Sequence, residues 1–269
     1  MIQSTRPWIG TDALERALAE GELTVEGRLP GASNATVRCT VTVAPGIDVR
    51  CVYKPVRGER PLWDFPDGTL SAREVAAYLV CRALGWGLVP PTAWREDGPA
   101  GPGMCQAWID ASPDRSVVDV VEPAEVGEGW LQVFEGMDAA GRPVVLVHED
   151  SVALQRVAVL DALINNADRK GGHLLCDAEG DLWGIDHGVT FAEEDKLRTV
   201  LWGWAGAAVP GELLEALEAA PDQPDFGKAM ALLHPDEAGA LQSRRRRLLR
   251  ERRFPLPAGD WPSIPWPVF

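Results

Sequence analysis

The fold prediction depends on residues 161–188, which read DALINNADRKGGHLLCDAEGDLWGIDHG. An apolar helix that begins near Ser151 is predicted to end just before Asp168, and two short strands around a turn follow it. The hairpin separates His173 from Asp186 in sequence. Its geometry is expected to bring Asp168, His173 and Asp186 to the same rim of the molecule.

These side chains suit the transfer of a phosphoryl group. We predict that Asp168 orients or deprotonates an acceptor hydroxyl, that Lys170 neutralises charge on the transferred group, and that Asp186 holds a metal ion. The alternative is that Asp168 and Asp186 are turn residues at strand ends, where aspartate is common. The glycine-rich, cation-rich segment beside Asp168 favours the catalytic interpretation.

Three strands are predicted upstream of this block, because apolar and polar residues alternate between Leu23 and Tyr53. On the third strand Val49, Cys51 and Tyr53 share one face, and Lys54 falls on the other. A lysine on a strand is usually a solvated edge charge. This position also suits a cation that contacts the α- and β-phosphates of a nucleotide.

A turn-rich loop over residues 27–34 joins the first two strands. Backbone amides at Gly31, Ser33 and Asn34 are predicted to approach the phosphates, since glycine permits close contact. The alternative, that this loop is a simple hairpin turn, stays open on the sequence alone.

A helix is predicted from Ser71, with Gly85 as its stop. Glu74 on this helix can pair with Lys54, or it can complete a capping box with Ser71. One carboxylate cannot fully serve both, and we predict that Glu74 and Lys54 lie within salt-bridge reach.

The pieces stand in the order that kinase folds use, and the chain resembles the phosphatidylinositol 3-/4-kinase superfamily, above all the type II phosphatidylinositol 4-kinase branch and its bacterial relatives. It is also similar to a group of uncharacterised kinase-like proteins from actinobacteria. The similarity lies in Val52–Pro55, Arg73–Leu79, Val89–Thr92, Asp161–Arg169 and Gly184–Gly188. The resemblance implies that Lys54, Glu74, Asp168 and Asp186 are the nucleotide-binding lysine, its helix glutamate, the catalytic aspartate and the metal-binding aspartate.

The resemblance also implies an α+β, two-lobed protein-kinase-like fold. Residues 1–108 would form an N-lobe, a small antiparallel sheet with one helix, and residues 109–269 a mostly helical C-lobe. ATP with Mg²⁺ or Mn²⁺ would be the cofactors. The function would be an ATP-dependent transfer of phosphate to an alcohol group of an unidentified acceptor, whether a small molecule, a protein or an inositol lipid.

Departures from the family pattern concern the metal. The family has an asparagine as second metal ligand where this chain has His173, and commonly Asp-Phe-Gly where it has Asp186-His187-Gly188. Mg²⁺ prefers oxygen ligands, whereas Mn²⁺ accepts imidazole more readily. We therefore predict His173 as a second ligand, and a histidine that ligates should make manganese the preferred metal. If His173 only hydrogen-bonds in the loop and water completes the metal shell, the two metals should behave alike. The alternative is a non-catalytic kinase-fold module, a pseudokinase that holds nucleotide without turnover.

A zinc site is a third interpretation. His173 and Cys176 have the spacing of metal ligands, and Asp186 and His187 follow them. A full four-ligand set is not legible in the sequence.

Composition limits the classes of function. The net charge is -14, with 46% hydrophobic and 25% charged residues. An acidic surface repels nucleic-acid phosphates and anionic lipid head groups, so we expect no nucleic-acid partner and no stable membrane attachment. Scattered cysteines without a C-x-x-C pair, and the lack of a secretory signal, predict a cytoplasmic protein.

Two features of the C-terminal third complete the predictions. The basic run that starts at Arg244 is expected to be a solvated helix face. The proline-rich segment at 261–269 cannot be helical, and its tryptophans are expected to pack onto the body of the protein.

Overall fold

The computed structural model describes residues 2–29, 35–59, 62, 70–259 and 262–269 of the chain. The predicted phosphate-loop residues Gly31, Ser33 and Asn34 therefore lie outside the described residues.

The fold is mixed α/β, with antiparallel sheets and, among the described residues, six α-helices. The strands are β1 (Ile2–Gln3), β2 (Leu23–Arg28), β3 (Val37–Ala44), β4 (Ile47–Pro55), β5 (Thr92–Arg95), β6 (Gly103–Ala107), β7 (Val118–Val121), β8 (Trp130–Met137), β9 (Pro143–Glu149), β10 (Leu174–Cys176) and β11 (Leu182–Gly184). The helices are α1 (Asp12–Glu20), α2 (Leu70–Ala83), α3 (Val152–Ile164), α4 (Gly211–Ala219), α5 (Pro224–Ala231) and α6 (Pro235–Glu251).

The first sheet has the strand order β2-β3-β4-β6-β5, and β1 pairs with the start of β4 in parallel. Val49, Cys51 and Tyr53 are buried on one face of β4, where they pack with Leu14 and Leu18 of α1. The predicted alternation is confirmed. Because side chains alternate along a strand, it turns Lys54 to the opposite face.

Helix α2 begins one residue earlier than predicted, and its N-terminus is capped differently. The carboxylate of Glu59 accepts hydrogen bonds from the N–H groups of Leu70 (3.1 Å) and Ser71 (2.7 Å). The Ser71 hydroxyl donates to the Lys54 carbonyl at 3.1 Å. The prediction of a capping box between Ser71 and Glu74 was therefore wrong. Glu59 accepts from the free N–H groups at the start of the helix, which leaves Glu74 available for Lys54.

A second sheet, with the order β7-β9-β8, occupies part of the region that was predicted to be mostly helical. Among the described residues after 108, five strands accompany four helices, so that prediction was wrong in extent. The cause is visible in β8, where the pairing register with β9 shifts between Gln132 and Phe134. Such a bulge breaks the two-residue alternation by which a strand is recognised in a sequence.

Helix α3 and the β10–β11 hairpin form as predicted and are largely buried in the main core. The Ser151 side chain caps α3 by accepting from the N–H of Leu154. Asn165 caps the C-terminus of the helix with a left-handed φ of 55°. The Asn165 amide nitrogen donates to the carbonyls of Ala192 (3.0 Å) and Glu194 (2.6 Å), so the helix end holds the segment that follows the hairpin.

The basic run on α6 is only partly a solvated face. Arg244 is 3% exposed. Its guanidinium donates to the carbonyls of Leu163 and Ala192, each at 3.0 Å. Arg244 is thus a buried residue that joins α6 to the end of α3 and to Ala192, while Arg246 and Arg250 are exposed as expected.

All five cysteines are buried free thiols. In the part of the chain that the structure describes, no helix combines the length and apolar character needed to cross a membrane.

Candidate functional site

A cavity of about 610 Å³ lies between the first sheet and the β10–β11 hairpin. Lys54, His173 and Asp186 all line it. The segment after β6, residues 108–111, also lines it. A second cavity, of about 470 Å³, is lined by none of the predicted site residues.

Lys54 lies between two carboxylates. Its Nζ is 2.5 Å from Glu74 Oε1 and 2.9 Å from Asp186 Oδ1. Burial opposes the charge of the ammonium, but the carboxylates of Asp186 and Glu74 outweigh burial and raise the pKa of Lys54. The predicted Lys54–Glu74 contact is confirmed, and Lys54 stays charged at neutral pH.

Glu74 connects this lysine to the backbone beside Asp186. It is 1% exposed, and its Oε2 accepts a hydrogen bond from the N–H of His187 at 2.9 Å. Burial raises the pKa of Glu74, and the Lys54 charge acts in the opposite direction. One carboxylate therefore fixes both the cation and the segment that carries Asp186.

Asp186 has an unusual backbone and a partly open side chain. Its φ is 60°, in the left-handed region that few non-glycine residues occupy. Its side chain is 48% exposed, and Oδ2 lies 3.5 Å from His173 Nε2. The neighbouring Lys54 lowers the pKa of Asp186, so the group is a carboxylate with oxygen lone pairs open to the cavity.

Asp168 and Lys170 are not among the residues that line this cavity. Lys170 Nζ is 3.4 Å from Asp168 Oδ2, and the Asp168 side chain is 33% exposed. Burial lowers the pKa of His173, and the charges of Asp168 and Lys170 also act on it. The N–H of His173 donates to the carbonyl of Lys170 at 3.2 Å, which joins the segment of Asp168 and Lys170 to His173.

A buried cluster behind the cavity holds these loops in place. Arg169 makes two hydrogen bonds to Asp161, through Nε (2.8 Å) and Nη2 (2.9 Å), and both side chains are fully buried. It also donates to the carbonyl of Ile185 at 3.0 Å and lies 2.7 Å from His187 Nε2. Burial, with a contribution from Arg169, places the pKa of His187 well below its usual value, so the ring is neutral.

Sequence reasoning did not assign roles to Asp161 and Arg169. A signal was present, because Asp161 is a lone carboxylate in the otherwise apolar part of α3. A buried charge of this kind needs a partner. The sequence does not say which of the nearby cations supplies it.

The end of the chain packs on the glycine pair beside Lys170. The N–H of Gly171 donates to the carbonyl of Val268 at 2.8 Å. The Phe269 ring lies so close that a Cβ added to Gly171 would be 2.4 Å from its Cε1 atom. The prediction that tryptophans pack was wrong for Trp266, which is 81% exposed, and Trp261 lies outside the described residues.

The donors at the cavity do not form a zinc site. No group of three or more His, Cys, Asp or Glu side chains able to hold a metal occurs among the described residues. His187 Nε2 contacts Arg169, and Cys176 is buried on β10, so the third interpretation was wrong. Asp186 and His173 remain as two adjacent donors.

This is a mixed α/β protein whose cavity holds a lysine between two carboxylates. No family model matches the chain. Protein Rv2133c of Mycobacterium tuberculosis is 49% identical to it in an alignment of 264 positions that covers 94% of each chain. The chain belongs to the same family as that protein.

Proposed function

We propose that this chain is an ATP-dependent phosphotransferase with a two-lobed, kinase-like arrangement, whose lobes are residues 1–108 and 109–269. The observation that carries the proposal is the position of Lys54, charged and held between Glu74 and Asp186 at a cavity of about 610 Å³. A fixed cation beside an open carboxylate suits the phosphates of a nucleotide and their metal ion.

The predicted site residues that the structure describes each have a chemical role in this proposal. Lys54 contacts the α- and β-phosphates, with Glu74 orienting it. Asp168 accepts the proton of the acceptor hydroxyl. The hydroxyl oxygen forms the new bond to the γ-phosphorus while the bond from that phosphorus to the ADP leaving group breaks. Lys170, next to Asp168, offsets negative charge on the transferred group.

The donor set at the cavity fits a divalent cation that takes most of its ligands from the nucleotide. Mg²⁺ commonly binds through one or two carboxylates together with phosphate oxygens and water. Asp186 supplies the carboxylate, and His173 Nε2, 3.5 Å from it, is the other protein donor. The cation would neutralise phosphate charge.

The acidic composition narrows the acceptor classes. A net charge of -14 favours a small molecule or a protein over a nucleic acid, and it disfavours stable attachment to an anionic membrane. An inositol lipid stays in the proposal only through the resemblance. We propose a cytoplasmic location for the activity, because the cysteines are scattered and form no C-x-x-C pair.

A specific observation favours the second candidate, a nucleotide-binding module without turnover. Metal-ligating histidines usually donate their other ring N–H to a nearby acceptor. The Nδ1 of His173 is buried and has no hydrogen-bond partner among the described residues. His173 thus lacks the support expected of a ligand, which favours a polar contact with Asp186 over a bond to the metal.

Nucleotide binding and turnover test both candidates. Thermal shift with ATP and Mg²⁺ or Mn²⁺, and release of ADP with cell extract as acceptor source, should both be positive in the wild type. Lys54→Met should abolish both, because the phosphates lose their cation. Lys228→Met, at an exposed lysine that pairs with Asp225, is the matched control and should change neither.

The outcomes separate the candidates. Binding without turnover would establish the module and exclude the enzyme. Restoration of turnover with Mg²⁺ in His173→Asn would identify the histidine as the cause. No binding of any nucleotide would overturn both candidates.

A further inference from the structure

Gln106 is a buried polar side chain in the same cavity. It lies on β6 opposite Val52 of β4, and Met104 lies opposite Lys54. Gln106 therefore shares the sheet face of Lys54, one diagonal step away, which is roughly 7 Å between such positions. It is 5% exposed and lines the cavity.

The neighbouring Thr92 determines which way the amide of Gln106 points. The Thr92 hydroxyl donates its single proton to the carbonyl of Pro90 at 2.7 Å. Its oxygen can then only accept from Gln106, whose Nε2 lies 2.8 Å away. The chain of donors thus fixes Nε2 toward Thr92 and leaves the carbonyl oxygen Oε1 on the other side of the amide.

The amide oxygen is available to a ligand. No hydrogen bond to Oε1 is formed by the described residues, and the side chain borders the cavity. An amide oxygen at a cavity wall without a protein donor can accept a hydrogen bond from a ligand that fills the cavity. Trp108, two residues after Gln106, also lines the cavity, and its backbone N–H donates to the carbonyl of Arg50 on β4 at 3.1 Å.

We infer that Gln106 selects the base of the nucleotide, with Oε1 accepting a hydrogen bond from the exocyclic 6-amino group of adenine. This inference rests on the proposed nucleotide site and adds its base specificity. A nucleotide whose phosphates contact Lys54 can extend past Val52 and bring its base to Gln106. Guanine and hypoxanthine carry a carbonyl oxygen at position 6, which would face Oε1 acceptor to acceptor.

The test compares ATP with inosine triphosphate and GTP. Inosine triphosphate isolates position 6, because it has the 6-oxo group without the 2-amino group of guanine. Equilibrium binding to the wild-type chain should favour ATP over both by about tenfold or more, the usual effect of one matched polar contact. Gln106→Leu should weaken ATP and bring the ATP-to-inosine ratio close to one.

Thr92→Val supplies a second, more specific variant. Removing the hydroxyl frees the Gln106 amide to turn and to present its N–H to a 6-oxo group. Binding of inosine triphosphate should then strengthen, which a purely structural role of Thr92 would not produce. Gln132→Leu, at an exposed glutamine on β8, is the control and should leave the ratio unchanged.

The failure of this inference is distinct from the failure of the proposed function. Equal binding of the three nucleotides by the wild type would overturn base selection by Gln106 and leave the nucleotide site intact. An ATP preference that survives in Gln106→Leu would do the same. If none of the three nucleotides binds, the proposed function falls and the inference falls with it.

Discussion

The ion pairs of Lys54 and of Arg169 both contact residues 185–187, and they differ in how completely their polar atoms are bonded. Arg169 and Asp161 are fully buried and make two hydrogen bonds to each other. Lys54 is held as tightly, at 2.5 Å from Glu74, but its second partner Asp186 is 48% exposed.

This difference in exposure indicates that the Arg169–Asp161 pair has a structural role, whereas the Lys54 site is open to a ligand. A saturated buried pair has nothing left to offer a ligand, whereas a half-open carboxylate beside a fixed cation has. The two are connected, because Arg169 holds the Ile185 carbonyl and Glu74 holds the His187 N–H, the groups on both sides of Asp186. The buried Arg169–Asp161 pair thus helps to hold Asp186 in position beside Lys54.

Arg169→Leu should produce the largest loss of stability. It leaves Asp161 as a buried carboxylate without its cation, and removing one partner of a buried pair costs about 3–5 kcal/mol. Urea denaturation should show this as a lower free energy of unfolding.

Arg247→Leu is the matched control. Arg247 lies 2.5 Å from Asp195, but the two side chains are 40% and 51% exposed. An exposed pair contributes about 0–1 kcal/mol, so the loss should be small. Equal losses in the two variants would contradict the distinction between the pairs.

Asp186→Ala should remove ligand binding while the fold survives. Lys54 keeps Glu74, and the substitution leaves no unpaired charge in the core. At ATP concentrations 100 times the dissociation constant, the wild type should gain about 2.7 kcal/mol, and the variant should gain none.

Thermal shift with ATP and metal measures this gain. Asp181→Ala, at an exposed aspartate that pairs with Arg6, is the control and should keep the full shift. An unchanged ATP shift in Asp186→Ala would refute the role of Asp186.

The sequence was informative where a pattern is local. The alternation on β4 placed Lys54, and the turn and strands of 161–188 brought His173 Nε2 to within 3.5 Å of Asp186 Oδ2. It was silent where contacts join distant residues. Nothing local selects Glu59 over Glu74 as the cap of α2, and nothing in GMCQA predicts that Thr92 orients Gln106.

Gly171→Ala should disturb the contact between the C-terminal segment and the loop that carries Lys170. The new Cβ would be 2.4 Å from the Phe269 ring, so the ring must move. Overpacking of this kind costs about 1–3 kcal/mol. Faster proteolysis of the C-terminal segment and a lower melting temperature should follow.

Gly172→Ala is a close control for this effect. At Gly172 the nearest atom to an added Cβ is a Phe269 backbone carbon at 3.9 Å, an ordinary contact. Gly172→Ala should therefore keep the wild-type proteolysis pattern. If the two variants behave alike, the packing of Phe269 on Gly171 does not hold the segment.

His148 is a buried histidine with both ring nitrogens hydrogen-bonded, and its substitution should have the smallest effect, on the pH dependence of stability. His148 Nε2 accepts from the N–H of Gly203 at 3.0 Å, and its Nδ1 lies 2.9 Å from the Glu149 carbonyl, so both ring nitrogens are used by the neutral form. Burial lowers the pKa of His148 below its usual value of about 6.5. Below pH ~6.5 the unfolded chain therefore binds a proton that the folded chain does not, and the free energy of unfolding falls by up to about 1.4 kcal/mol per pH unit.

His148→Gln should reduce this slope between pH 6.5 and the lowered pKa, and should leave the slope above pH 7 unchanged. Urea titrations at a series of pH values measure both, and an identical slope in the variant below pH 6.5 would show that His148 is not the group that titrates.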